Sequence, residues 1–215
     1  MTYKLLSYQA GRDARAGVLV EDTVYDVQKV TGAPAYSSVL GALEEWSKAK
    51  RLLAQAAKRI ASGKSRAKGV PLKRARLLAP VLYPGALFCA GANYTDHMLE
   101  MARVQNIPPE KDPHELGLKP WHFIKTSSAS VVGPGARVTL PAYSQMVDWE
   151  IELVAVIGRP AKNVTIEKAL DYVFGYTQRH DLRAARAHPI PHERADTPAG
   201  RSHHDRYASG RPQTE

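Results

Sequence analysis

The stretch VDWEIELVAVIG, from Val147 to Gly158, combines two patterns in one predicted strand. Its first half carries Asp148, Glu150 and Glu152 on one face, because successive side chains of a strand point to opposite faces. Its second half, LVAVI, is wholly apolar, which is typical of a central strand covered by neighbouring elements. Carboxylates about 7 Å apart repel each other by roughly 2 kcal/mol at an effective dielectric constant near 20. An enclosed acidic face therefore needs a positive charge, whereas an open one is an ordinary solvated face.

A hard divalent cation suits a cluster made only of carboxylate oxygens. Mg²⁺ is the first candidate, and Mn²⁺ or Ca²⁺ is possible. Zn²⁺ is less suitable because no cysteine or histidine is placed to complete the site. Asp181, in the stretch QRHDL, is a candidate third ligand, although an aspartate after a strand is more often a cap or turn residue.

The motif NYTDHMLEMAR contains a second pair of chemically useful residues. His97 and Glu100 are three positions apart, so they share one face of a helix. A carboxylate that orients an imidazole makes it a general base for water, although the same spacing also describes an exposed surface pair. The long, proline-containing segment that follows is typical of a lid or binding loop.

Three stretches together resemble one known family, namely LYPGALFCAGANYTDHMLEM, HFIKTSSASVVGPG and the segment from VDWEIELVAVIG to GYTQRHDL. In order and spacing, residues 77–182 resemble the fumarylacetoacetate hydrolase family, and its patterns NYxDHxxE and DWExE are specific. Residues 1–70 resemble the small N-terminal domain that many bacterial members carry. The resemblance implies an α+β, β-rich protein in which a small α/β domain precedes a mixed β-roll or sandwich catalytic domain.

The resemblance also implies a site. Glu150, Glu152 and Asp181 match the carboxylates that hold Mg²⁺ or Mn²⁺, and Asp148 matches a residue that supports them. The residues that match the family's catalytic positions are the water-activating pair and a lysine at the wall of the active site, namely His97, Glu100 and Lys125.

The implied activity is the metal-dependent hydrolysis of a C–C bond in a small anionic 2-oxo acid or 1,3-diketo acid, such as fumarylacetoacetate or an acylpyruvate. Other relatives isomerise, decarboxylate or hydrate related oxo acids with much the same metal site. The motifs do not separate these outcomes. Members are commonly homodimers, so a homodimer is expected here.

Family-like sequence stops near Leu182, and residues 183–215 form an Arg-, Ala-, Pro- and His-rich stretch with almost no large aliphatic side chain. Such a composition predicts a disordered tail. We hypothesise that the chain is a truncated or frameshifted member whose catalytic domain is incomplete. Such a chain would expose strand edges and apolar faces, with poor solubility and weak or absent activity. It could then be a non-catalytic remnant that binds a cation or an intact paralogue.

Composition and charge bear on the partners and the cellular compartment of the protein. The 215 residues carry a net charge of +9, but basic residues are interleaved with apolar ones, so nucleic acid is not an expected partner. No segment approaches the roughly 20 apolar residues of a membrane span, and we expect a cytoplasmic protein.

The polar, basic residues 62–76 are the predicted linker between a domain at 1–70 and a second at 77–182. Before the linker, alternation predicts strands with a turn at Glu21–Thr23, and helical periodicity extends from Ser37 to Ala61.

Overall fold

The first half of the chain forms a four-stranded antiparallel sheet in the order β1-β2-β3-β4 in this computed structural model. Its strands are β1 (Lys4–Ala10), β2 (Asp13–Val20), β3 (Thr23–Asp26) and β4 (Val70–Pro71). Val20 pairs with Thr23, which confirms the predicted tight turn between β2 and β3. Glu21 occupies this turn with a φ of 53°, a left-handed conformation that few side chains adopt.

Three helices cover one face of this sheet: α1 (Val27–Thr31), α2 (Val39–Glu44) and α3 (Trp46–Ala61). Side-chain oxygens of Asp26 and Ser38 cap α1 and α2 at their first turns. The helical region predicted for residues 37–61 contains two helices, α2 and α3, which are separated at Glu45. The largest fully buried side chains come from both layers, and they are Tyr36, Leu53, Val18, Val24 and Val27.

The predicted linker takes part in the N-terminal sheet. Val70 and Pro71 pair with β3, and the carbonyl of Arg76 accepts a hydrogen bond from the N–H of Gln9 at 2.9 Å. Residues 62–76 are thus not a free connection, because their backbone groups complete both edges of the sheet.

The second half of the chain contains shorter, more exposed elements. Strands β5 (Leu87–Ala90) and β6 (His122–Lys125) pair antiparallel, with Leu87 opposite Lys125. Helix α4 (Thr95–Gln105) follows β5, and the single turn α5 (Ser127–Ser130) follows β6.

Strands β7 (Met146–Ile157) and β8 (Val173–Ala185) form a two-stranded sheet. The 3-10 helix Ile166–Tyr172 precedes β8, and the N–H of Gly158 donates to the carbonyl of Tyr172 at 2.9 Å. Val156 and Phe174 pack against the N-terminal core, and the ring of Phe174 meets that of Trp46 edge-on at 4.2 Å. These contacts fix one face of the sheet.

In the second half of β7 the other face is exposed, which differs from the central, covered strand that LVAVI predicts. Ile151, Leu153 and Ile157 are 59%, 64% and 58% exposed, because no described element packs on them. The hypothesis of an incomplete catalytic domain predicts such an open apolar face. The described parts of the chain are α+β, as predicted.

The structure describes residues 3–91, 93–109, 111, 115–140, 142–143 and 146–185, without the side chains of 128–129, 146, 148–150 and 179–185. They divide into one unit at 1–138 and 151–179, and a second that comprises 139–150 and the chain from 180 onward. The second unit contains the first five residues of β7 and the end of β8. Strand β8 ends at Ala185, three residues into the predicted tail, and the rest of the tail lies outside the described residues.

Candidate functional site

Helix α4 carries the predicted pair of His97 and Glu100. Asp96 lies in its first turn and accepts a hydrogen bond from the N–H of His97 at 2.9 Å. His97 is half-buried and Glu100 is exposed, and their three-residue spacing places them on one face of the helix. The helix ends at Asn106, whose φ of 53° is left-handed. The structure thus confirms the helix, whereas the acid–base role of the pair stays a prediction.

A contact that sequence reasoning missed connects β6 to the segment before α4. The N–H of Gly91 donates to the carbonyl of Trp121 at 3.1 Å. A Cβ atom added to Gly91 would lie 2.1 Å from Cζ2 of Trp121, so any other residue here would require the indole ring or the backbone to shift. Glycine alone fits here without such a shift, so the glycine in the motif CAGANY was the sequence signal for this contact.

Lys125 lies at the end of β6 and is half-buried. Its ammonium group is 5.8 Å from the centre of the Phe123 ring, a distance at which a cation is attracted to an aromatic face. Its predicted contact with an anionic substrate stays a prediction.

Glu152 is the predicted metal ligand whose side chain the structure describes. It is half-buried on the same face of β7 as Val154 and Val156. The backbones of Glu150 and Asp181 lie in β7 and β8, but their side chains are outside the described residues. Among the residues that are described, no group of three or more His, Cys, Asp or Glu could hold a metal ion. Because the side chains of Glu150 and Asp181 are not described, the metal site stays a prediction.

Comparison with protein families identifies the chain. Residues 86–209 match the fumarylacetoacetate hydrolase C-terminal family, which covers more than half of the sequence. The chain belongs to the fumarylacetoacetate hydrolase family. The match runs beyond Leu182 and into the stretch that we predicted to be unlike the family.

Curated relatives of this fumarylacetoacetate hydrolase family member include mitochondrial oxaloacetate tautomerases. The chain is 43% identical over 108 residues to that of Xenopus laevis, fahd2, and 41% identical over 115 residues to the Homo sapiens protein FAHD2B. These alignments cover 50% and 54% of this chain but 30% and 33% of the relatives. The alignments thus span about a third of the length of these relatives.

Solved structures share the family fold. The fumarylacetoacetate hydrolase of Exiguobacterium antarcticum aligns with a TM-score of 0.58 and 27% identity, over 85% of this chain and 57% of the relative. Maleylpyruvate hydrolase from Sphingobium sp. SYK-6, solved with manganese(II) and pyruvate, aligns with a TM-score of 0.59 and 25% identity. That alignment covers 85% of this chain and 59% of the hydrolase.

Within the described part of the chain, no helix combines the length and the apolar character of a membrane span.

Proposed function

We propose that this chain acts on small anionic 2-oxo acids by metal-dependent hydrolysis of a C–C bond. The observation that carries the proposal is the family match over residues 86–209, which includes every residue of the predicted site. A maleylpyruvate hydrolase with the same fold, solved with manganese(II) and pyruvate, supports both the metal and the substrate class.

The proposed metal ligands are Glu150, Glu152 and Asp181. Three carboxylates offer only hard oxygen donors, which fit Mg²⁺ best and Mn²⁺ or Ca²⁺ next. The half-buried position of Glu152 supports this assignment, since a carboxylate withdrawn from water gains from a cation partner. When bound, the ion supplies Lewis-acid stabilisation of the negative charge that develops on substrate oxygens.

The proposed general base is His97, oriented by Glu100. In a hydrolytic reaction, the neutral imidazole of His97 accepts a proton from the attacking water, and the carboxylate of Glu100 favours the resulting imidazolium. The exposure of α4, in which Ala102 is the buried residue, supports a role as a lid because a mobile cover needs few buried contacts.

Lys125 is the proposed partner of a substrate carboxylate. A half-buried ammonium group beside an aromatic ring is partly shielded from water. An anionic group gains more from such a cation than from a fully solvated one. We propose that the enzyme works in the cytoplasm as a homodimer, although the tautomerases named above are mitochondrial proteins.

A second candidate is the tautomerisation of oxaloacetate. It is favoured by the identity of 43% over 108 residues to the Xenopus laevis oxaloacetate tautomerase. The same residues would serve it, with His97 moving a proton to or from the carbon next to the carbonyl instead of activating water. Other isomerases, decarboxylases and hydratases of this family stay alternatives.

The first experiment measures metal binding and turnover together. Isothermal titration with Mn²⁺ is compared for the wild type, Glu152→Gln and the control Glu167→Gln, which removes the same charge from an exposed residue of the 3-10 helix. We expect Glu152→Gln to weaken binding at least tenfold and the control to leave it unchanged. Equal binding by all three chains would refute the metal site.

Activity is then assayed with maleylpyruvate, an acylpyruvate and oxaloacetate in the presence of Mg²⁺. Metal-dependent hydrolysis supports the first candidate, and metal-dependent enol–keto exchange of oxaloacetate supports the second. Metal binding without turnover of any substrate would support a non-catalytic remnant. An active Glu152→Gln variant would contradict both enzymatic candidates.

A further inference from the structure

A basic cleft lies in the N-terminal part of the first unit, and none of the proposed site residues lines it. Its volume is about 510 Å³, which falls within the usual range for small-molecule sites. Four cationic side chains line it, and Asp26 is the one carboxylate among the lining residues; the four are Lys29, Arg59, Arg66 and Lys68.

The carboxylate of Asp26 does not neutralise these four cations. It is buried, and its oxygens already accept hydrogen bonds from Nε of Arg15 at 3.1 Å and from the N–H of Lys29 at 3.0 Å. The ion pairs recorded among the described residues are Arg15–Asp26 and Lys48–Glu45. None of the four lining cations therefore pairs with a described carboxylate, and the cleft carries an excess of positive charge.

Helix ends explain only part of this excess. Lys29 lies in the last turn of α1 and Arg59 in the last turn of α3, where a cation compensates the negative end of the helix dipole. Arg66 and Lys68 lie in the loop after α3 and have no such role. Their charges are available to a ligand.

Both ends of that loop are held in place. At one end, the N–H of Lys64 donates to the carbonyl of Arg59 at 2.9 Å. At the other end, Gly69 lies so close to β3 that an added Cβ would be 2.3 Å from Cγ2 of Thr23. The next residue, Val70, pairs with Val24. Arg66 and Lys68 thus extend from a short loop with fixed ends, which lowers the entropy cost of bringing their charges to one ligand.

We propose that this cleft binds a small molecule that carries a phosphate group. A guanidinium offers a planar fork of donors that matches phosphate oxygens, and ammonium groups add charge without a directional requirement. A phosphate monoester carries about −1.5 to −2 charges at neutral pH, more than a single carboxylate, so it matches a group of four cations better. The hydroxyl of Ser65, which also lines the cleft, offers a further donor. This proposal is independent of the oxo-acid chemistry.

Isothermal titration of the full chain with pyrophosphate in metal-free buffer tests the proposal. We expect saturable binding of one pyrophosphate per chain, and at least a tenfold weaker affinity for Arg66→Ala combined with Lys68→Ala. Both residues are exposed, so the double variant should keep the unfolding midpoint of the wild type. The matched control, Lys58→Ala with Lys64→Ala, removes the same charge from neighbouring exposed residues that do not line the cleft and should bind normally.

Three outcomes would overturn the proposal. One is the absence of saturable pyrophosphate binding, and another is equal weakening by the control variant, which would indicate non-specific attraction to the basic surface. The third is retention on DNA that depends on Arg66 and Lys68 without pyrophosphate binding, since this would make the cleft part of a nucleic-acid surface. Sedimentation with vesicles that contain phosphatidic acid, a phosphate monoester, separates the two phosphate sources. Cleft-dependent pelleting identifies a lipid headgroup, and pyrophosphate binding without pelleting identifies a soluble ligand.

Discussion

Tyr36 shows how one buried polar group organises the N-terminal unit. Its side chain is 0% exposed, and its hydroxyl donates a hydrogen bond to Oε2 of Glu45 at 3.0 Å. Burial, followed by this bond and the nearby negative charge, raises the pKa of Tyr36. The bond from Tyr36, with a smaller contribution from Lys48, lowers the pKa of Glu45. The pair joins the segment before α2 to the junction at which α3 begins.

The lowered pKa of Glu45 makes part of the stability depend on pH. A carboxyl group whose pKa is lower in the folded state stabilises the fold above its unfolded pKa, near 4.5, and loses that contribution as the pH falls through the folded value. We therefore expect Tyr36→Phe to raise the pKa of Glu45 and to lower the free energy of unfolding more at pH 6 than at pH 3. An NMR titration of the Glu45 carboxyl carbon, with urea unfolding at both pH values, measures this.

The matched control for this prediction is Tyr25→Phe, which removes a hydroxyl from a half-buried tyrosine elsewhere in the same unit. It should leave the titration of Glu45 unchanged. If Tyr36→Phe destabilises the protein equally at pH 3 and pH 6, the hydroxyl does not act through Glu45.

Strand β7 illustrates how one element can have a packed face and an open face. Val156 packs against the N-terminal core, whereas Leu153 is 64% exposed on the opposite face. Both are aliphatic, so composition does not distinguish them. Their different surroundings arise from the alternation of side chains along the strand and from what lies on each side of the sheet.

Substitution by threonine should separate the two faces of β7. Leu153→Thr removes exposed apolar surface, so we expect less binding of the dye ANS and a free energy of unfolding within about 0.5 kcal/mol of the wild type. Val156→Thr places a hydroxyl against the core, and we expect it to destabilise the unit by about 1 kcal/mol. Dye fluorescence and urea unfolding measure these changes. A larger loss of stability in Leu153→Thr than in Val156→Thr would show that the faces are assigned wrongly.

Several large apolar side chains on strands β5, β6 and β7 are exposed. In addition to those of β7, Phe88 on β5 and Ile124 on β6 are 68% and 67% exposed. Water-exposed apolar surface of this kind favours association. The N-terminal unit, by contrast, has a continuous buried core that includes Val18, Val27 and Leu53.

We therefore expect the chain to self-associate, with a homodimer as the smallest species. Sedimentation velocity over a hundredfold range of concentration measures this, because the weight of an associating species rises with concentration. The Leu153→Thr variant reports whether the open face of β7 contributes. A single monomeric species at all concentrations would contradict the prediction.

Local sequence patterns were sufficient to predict much of the N-terminal unit and to indicate the family. The turn at Glu21 and the helical periodicity before Ala61 depend on residues a few positions apart, and the structure confirms both. The motifs around His97 and Glu152 are also short and can be recognised in the sequence. The family resemblance that they indicated is confirmed by the family match. The break at Glu45 was missed because periodicity continues across it in a different phase.

Tertiary structure alone decided which surfaces are covered and which distant residues meet. The pairing of Val70 with Val24 turned a predicted linker into a strand of the sheet, and it brings Arg66 and Lys68 to the cleft beside Lys29. The apolar run LVAVI was sufficient to predict a strand. It could not show that Leu153 on that strand is exposed, with no described element packed against it. The physical reason is that backbone conformation depends mainly on side chains that are near in sequence. The burial of a residue depends instead on the elements that pack against it, and these elements are often distant in sequence.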